Sequence, residues 1–121
     1  MAGINKLNFD SPDEVRRPEK AKIDIVKVGT TAASRMTAQP GWKWSDHVKP
    51  IVGGDKCQAR HVGYVSSGSL HVVHDDGTEA EISAGDGYVI EPGHDAWVIG
   101  DEPFVGYEFD TTTAETYAKG S

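Results

Sequence analysis

The feature that most limits the fold of this chain is the close spacing of its turns between residues 60 and 109. Short runs of apolar and β-branched residues alternate there with turn sequences such as Asp76-Gly77 and Pro92-Gly93. Runs of this length suit strands and are too short for core helices. About six short strands with a turn every eight to twelve residues predict an all-β sandwich or barrel of antiparallel strands.

The sequence before and after this block predicts a simple division of one domain. Residues 1–22 are polar and are expected to form an N-terminal arm. Its Ser11-Pro12 pair, followed by acidic residues, is typical of a helix start and predicts a short helix or turn. Residues 23–110 are expected to form the barrel, and residues 111–121 a C-terminal tail. A length of 121 residues fits a single domain.

Charge and cysteine content exclude several classes of partner. The net charge is −7 and the basic residues are scattered, whereas nucleic-acid binding needs a basic face. No stretch approaches the roughly 20 apolar residues of a membrane span. Cys57 is the only cysteine, so no internal disulfide can form, and the N-terminus lacks the apolar run of a signal peptide. We therefore expect a cytoplasmic protein that binds neither nucleic acid nor membrane.

The order of the turns resembles the cupin superfamily of small jelly-roll barrels. Residues 64–70 match the strand and tight glycine turn that end the first cupin motif. The Gly85-Asp86 pair, the apolar strand at 88–90 and the Pro92-Gly93 turn match the approach to the second motif. The resemblance covers about residues 40 to 109. It implies a cupin-type jelly-roll, or double-stranded β-helix, with a ligand-sized interior.

The usual metal ligands of a cupin are absent from their places in this sequence. Counting back from the turn glycine, Gly68, puts His61 where the first motif has its glutamate. The two histidine positions of that motif fall on Asp55 and Cys57, and His94 lies two residues before the expected second-motif histidine. The resemblance therefore implies a metal site made of Cys57, His61 and His94. Thiolate and imidazole suit one divalent transition metal, either zinc, iron, nickel or copper.

A small-molecule ligand is expected in the same interior. Residues of equal parity share a strand face, so Gly63 would face inward with His61 and leave room beside it. The predicted ligand-binding residues are Trp44, His47, Gly63, Tyr88 and Trp97. The alternatives are core or dimer packing for the tryptophans, a hydrogen-bonded interior histidine for His61 and a small buried apolar residue for Cys57.

Three functions stay open at this level. The first is a cupin, enzymatic or not, that binds a small molecule through a metal held by His and Cys ligands. The second is a metal-free cupin that senses or carries a ligand without catalysis, and the third is an interaction module. The cupin fold hosts many reactions, so the resemblance identifies none. A homodimer is expected, because Trp42, Trp44 and Tyr64 offer apolar area that a small domain would otherwise expose.

Overall fold

The computed structural model describes residues 3–109, except for the side chain of Val28. These residues form nine β-strands and two single-turn helices. In chain order they are β1 (Glu14–Arg16), β2 (Ala21–Val28), β3 (Thr31–Ala38), α1 (Trp44–His47), α2 (Lys49–Val52), β4 (His61–Ser67), β5 (Ser69–His74), β6 (Glu79–Ser83), β7 (Gly87–Ile90), β8 (His94–Ile99) and β9 (Phe104–Phe109). Neither helix is long and apolar enough to cross a membrane.

The strands form two antiparallel sheets. The larger has the order β1-β2-β3-β9-β4-β7, and the smaller has the order β6-β5-β8. Strands β4 and β5 are separated only by Gly68, whose φ of 76° lets the chain turn sharply from one sheet to the other. Strand β9 lies between β3 and β4 and pairs with both, so the last described strand joins the two halves of the larger sheet. The predicted all-β antiparallel architecture is confirmed.

One cluster of buried side chains connects the inner faces of the two sheets. Alternate residues contribute to it, as in Leu70 and Val72 on β5, because successive side chains of a strand point to opposite faces. Trp42 and Trp44 belong to this cluster and are only 2% exposed. They therefore offer no area to a dimer interface, whereas Tyr64 is 46% exposed. The homodimer itself stays a prediction.

The N-terminal segment differs from the expectation. The predicted helix after Ser11 is wrong, because residues 14–16 form β1, which pairs with β2. The space before Pro18 is too short for a stable isolated helix, and pairing with β2 satisfies the backbone groups instead. The sheet thus begins within the predicted polar arm. A turn is present, since the Ser11 amide donates to the Asn8 carbonyl. The tail predicted for residues 111–121 lies outside the described residues.

Candidate metal centre

Three buried side chains that the sequence placed in one site do meet inside the barrel. Cys57, His61 and His94 each offer a ligand atom, and these atoms lie within 4.8 Å of one another. His61 begins β4, His94 begins β8, and Cys57 lies in the loop before β4. The Cys57 amide donates to the His94 carbonyl at 2.8 Å, so a backbone bridge holds the thiol beside the imidazole.

A carboxylate from another strand holds the His61 ring. Its Nδ1 lies 2.8 Å from Oε1 of Glu108, and its Nε2 lies 3.8 Å from Sγ of Cys57. Glu108 is only 5% exposed, and its other oxygen accepts the Tyr88 hydroxyl at 2.9 Å. The ring therefore presents Nε2 to the thiol while Glu108 occupies the Nδ1 side.

A backbone carbonyl holds the His94 ring in a similar way. Nδ1 of His94 lies 2.8 Å from the carbonyl oxygen of Glu91. A carbonyl can only accept, so Nδ1 donates its proton to that oxygen, and Nε2 is the ring nitrogen on the opposite side. The His61 and His94 rings meet edge to face, with centroids 5.1 Å apart. Histidines that bind metals usually donate their other ring N–H to a carboxylate or carbonyl, and both histidines here have that arrangement.

The electrostatics of the group favour a charged thiolate. Burial opposes ionisation of Cys57, but hydrogen bonds with His61 and His94 outweigh it and lower the pKa of the thiol from 9.0 to about 6. Burial also opposes the charged form of His61, yet Glu108 and Cys57 raise the pKa of this imidazole to about 10. Between pH 6 and pH 10 Cys57 is therefore a thiolate, and the one titratable proton of the pair lies on His61.

The donor atoms fit a transition metal. Tetrahedral zinc has bonds of about 2.3 Å to sulfur and 2.0–2.1 Å to nitrogen, which separates the two donors by roughly 3.6 Å. Sγ of Cys57 and Nε2 of His61 are 3.8 Å apart, so little movement would bring both onto one ion. Sulfur and imidazole donors suit zinc, iron, nickel and copper. Asp55, at the other predicted motif position, lies outside the group, since its side chain is 99% exposed beside Lys49.

A small, mostly apolar cavity adjoins the group. The space open to the centres of water molecules is about 30 Å³. The lining residues are Met36, Trp42, Trp44, His61, Leu70, Tyr88, Ile90, His94, Ala96, Phe104 and Glu108. Two of the predicted ligand-binding residues, Trp44 and Tyr88, are therefore in the wall of this cavity.

Two other predicted ligand-binding residues lie elsewhere. Nδ1 of His47 lies 3.0 Å from the backbone amide of Lys43, so this histidine is engaged at the start of its own helix. The Trp97 ring stacks on His71 with centroids 4.9 Å apart, and the Lys43 ammonium lies 5.1 Å from its centre. The structure does not bring His47 or Trp97 to the cavity.

Gly63 has a different role from the predicted one. A Cβ at this position would overlap the carbonyl oxygen of Tyr107 and lie 2.9 Å from Cγ of Glu108. The missing side chain makes room for strand β9 and for the carboxylate that holds His61, so the expected open space beside His61 does not exist there.

Sequence reasoning missed Glu108, although a signal was present. Phe104, Gly106 and Glu108 share one strand parity, and all three are buried. A carboxylate on the inner face of a strand needs a partner, because burying an unpaired charge is costly. That requirement pointed to a polar partner for Glu108 in the interior.

Comparison with known proteins establishes the fold and nothing finer. No protein-family model and no curated protein matches this chain. An RmlC-like cupin from Shewanella frigidimarina is similar in structure, with a TM-score of 0.56 and 18% identity over 81% of this chain and 82% of that one. The polyketide cyclase RemF from Streptomyces resistomycificus has a TM-score of 0.58 and 12% identity over 88% of this chain and 77% of that one.

AerE from Microcystis aeruginosa is also similar, with a TM-score of 0.55 and 16% identity over 78% of this chain. The matched region is 46% of AerE, so this chain spans about half the length of that protein. Cupins are named among these structural neighbours, and the chain has their fold, as the order of its turns predicted. Its interior carries a buried group of one cysteine and two histidines whose ligand atoms are close enough together to hold a metal ion.

Proposed function

We propose that this protein is a cupin that binds a small molecule beside one divalent transition metal held by Cys57, His61 and His94. One observation carries the proposal. Both histidines have Nδ1 held by an acceptor, so that each ring can turn Nε2 toward an ion beside the same thiol group. This is the arrangement by which outer partners orient metal-binding histidines.

The chain supplies three ligands, which would leave one position of a tetrahedral ion for a small molecule. A metal bound there would supply Lewis-acid chemistry. Cys57 contributes the negative charge, and Glu108 orients His61. Leu70 and Phe104 belong to the apolar part of the cavity wall. No reaction is assigned, since a site of this kind serves several chemistries.

The second candidate is a metal-free cupin in which Cys57 acts as a nucleophile, and a specific observation favours it. Glu108 contacts His61 and His61 contacts Cys57, which is the order of an orienting acid, a base and a nucleophile. The lowered pKa of Cys57 suits the same role. A metal-free cupin that only binds a ligand would need no such thiolate.

Metal retention separates these candidates. Protein purified without a histidine tag is incubated with zinc, iron, nickel or copper and desalted, and its metal is measured by elemental analysis. We expect about one equivalent in the wild type and a loss of most of it in Cys57→Ser, His61→Ala and His94→Ala. The control is His71→Ala, because this histidine bonds Glu79 on another strand and does not line the cavity.

Retention of none of the four metals by the wild type would refute the metal proposal. The nucleophile candidate then predicts that iodoacetamide adds one group to the chain at pH 7, since Cys57 is the only cysteine. It also predicts a clear slowing in His61→Ala, because the imidazole would no longer stabilise the thiolate. Mass spectrometry measures the extent and the rate of alkylation in the wild type and in His61→Ala.

A further inference from the structure

A larger cleft opens on the barrel between β6 and β7. These two strands follow each other along the chain, but each is the outermost strand of a different sheet. The space in the cleft that is open to the centres of water molecules is about 360 Å³, against about 30 Å³ in the cavity beside the candidate metal centre. The cavity holds about two or three water-sized groups, so an organic molecule of more than a few atoms would need further space.

The strand register places this cleft directly beside the cavity. Ile90 belongs to the walls of both spaces, and its partner on β4 is His61, one of the candidate metal ligands. Ile82 lines the cleft, and its partner on β5 is Leu70, which lines the cavity. Side chains of such cross-strand partners have Cβ atoms about 4.5–5.5 Å apart. The cleft and the cavity are therefore separated by no more than a layer of single side chains.

The wall of the cleft defines what kind of molecule fits. Val72 and Ile82 come from the buried inner face of the smaller sheet, and with Ile90 they give the cleft an apolar floor. No lysine or arginine belongs to the wall in the described part of the chain, whereas three of its residues are acidic: Asp76, Glu79 and Glu91. An anionic group would meet no counter-charge here, while an uncharged apolar group would bury its surface favourably.

We propose that the ligand is a molecule with two parts, a small oxygen-bearing end in the cavity beside the metal and an uncharged apolar body in the cleft between β6 and β7. This inference deepens the proposed function and rests on it, since the oxygen-bearing end would take the open metal position. Ile90, which contacts both spaces, would lie between the two parts of the bound molecule. A primary alcohol with a chain of several carbons has this chemistry.

The methyl signals of the whole protein show where such a molecule binds. Zinc-loaded protein with ¹³C-labelled valine and isoleucine methyl groups is titrated with 1-hexanol and, separately, with ethanol. We expect the signals of Val72, Ile82 and Ile90 to move with 1-hexanol and to saturate. The signals of Val73 and Ile99 should stay in place, since neither residue lines the cleft or the cavity.

Chain length and charge give the expected magnitudes. A fully buried methylene group strengthens binding about fourfold, so the longer chain of 1-hexanol should give an affinity about 10- to 100-fold above that of ethanol. The probe 6-hydroxyhexanoate has a similar chain with a carboxylate at its far end, and we expect it to bind at least about tenfold more weakly than 1-hexanol. Val72→Thr puts a hydroxyl group in the apolar wall and should weaken 1-hexanol binding about three- to tenfold. Val73→Thr is the matched control on the opposite face of β5 and should bind as the wild type does.

Failure of this inference is distinguishable from failure of the metal site. If zinc is retained, the inference is overturned by affinities for ethanol and 1-hexanol within twofold of each other, by equally tight binding of 6-hydroxyhexanoate, or by an affinity for 1-hexanol that is the same with and without zinc. The comparison of chain lengths uses the wild type alone, so it decides the matter even if Val72→Thr does not fold. If zinc is not retained, the metal proposal fails and the titrations are repeated on metal-free protein. Saturating movement of the Val72, Ile82 and Ile90 signals there supports the cleft as the place of the apolar body, and unmoved signals overturn it.

Discussion

Replacing Glu108 with glutamine tests how the site is built. Glu108 accepts from Nδ1 of His61 at 2.8 Å and from the Tyr88 hydroxyl at 2.9 Å, and it is buried. Glutamine keeps the volume and one acceptor oxygen but removes the negative charge. The His61 ring would then lose its strongest constraint and become a weaker donor to a metal through Nε2.

The expected magnitude follows from this geometry. Removing an outer partner of a metal-binding histidine typically costs 10- to 100-fold in metal affinity, or about 1.4–2.8 kcal/mol. A buried carboxylate at 2.8 Å from the ring belongs in the upper part of that range, because little solvent screens it. Glu108→Gln is therefore expected to bind zinc or the preferred metal about 30- to 100-fold more weakly than the wild type.

Competition with a chromophoric chelator at fixed pH measures the affinity, and the chain offers a matched control. Glu91 contacts the site only through its backbone carbonyl, while its side chain pairs with Arg60 at the surface. Glu91→Gln should leave metal affinity unchanged. An affinity of Glu108→Gln within twofold of the wild type, with the same unfolding midpoint, would refute the reasoning. If this variant fails to fold, Tyr88→Phe must still show a smaller loss of affinity.

Two further predictions concern protons and backbone space. Between pH 6 and 10 Cys57 is a thiolate and His61 carries the one titratable proton of the pair. Metal binding at pH 8 should therefore release about one proton, and metal affinity should rise with pH in this range. Below pH 6 both groups are protonated, so metal affinity should fall more steeply there. Calorimetry in buffers with different ionisation heats measures this release, and zero or two protons would contradict the assignment. Gly63→Ala should lower the unfolding free energy by about 1–3 kcal/mol or more, because its Cβ would overlap the Tyr107 carbonyl oxygen. Gly87→Ala is the control in urea unfolding, since the nearest atom to its Cβ would be 3.8 Å away. Equal losses of unfolding free energy in the two variants would contradict this explanation.

Local signals in the sequence were enough for the strands and most of the turns. Asp76-Gly77 forms the hairpin turn between β5 and β6, with Gly77 at a φ of 94° that other residues rarely adopt. Leu70 and Val72 alternate along β5 with less buried residues, as the two-residue period of a strand requires. Such signals act between near neighbours, so they can be read without knowing how the chain folds. The order of the turns then carried the resemblance to cupins, and with it the grouping of Cys57, His61 and His94.

Tertiary contacts decided the partners of that group. Glu108 reaches His61 because β9 inserts between β3 and β4, and its register against β4 depends on the space that Gly63 leaves. The helix signal at Ser11 gave way to pairing of β1 with β2, a contact between distant residues. Strand insertion and register are set by the whole fold, since each depends on atoms far away along the chain. For this reason the sequence by itself determined the strands, the turns and the three candidate ligands, while only the tertiary structure showed what holds His61.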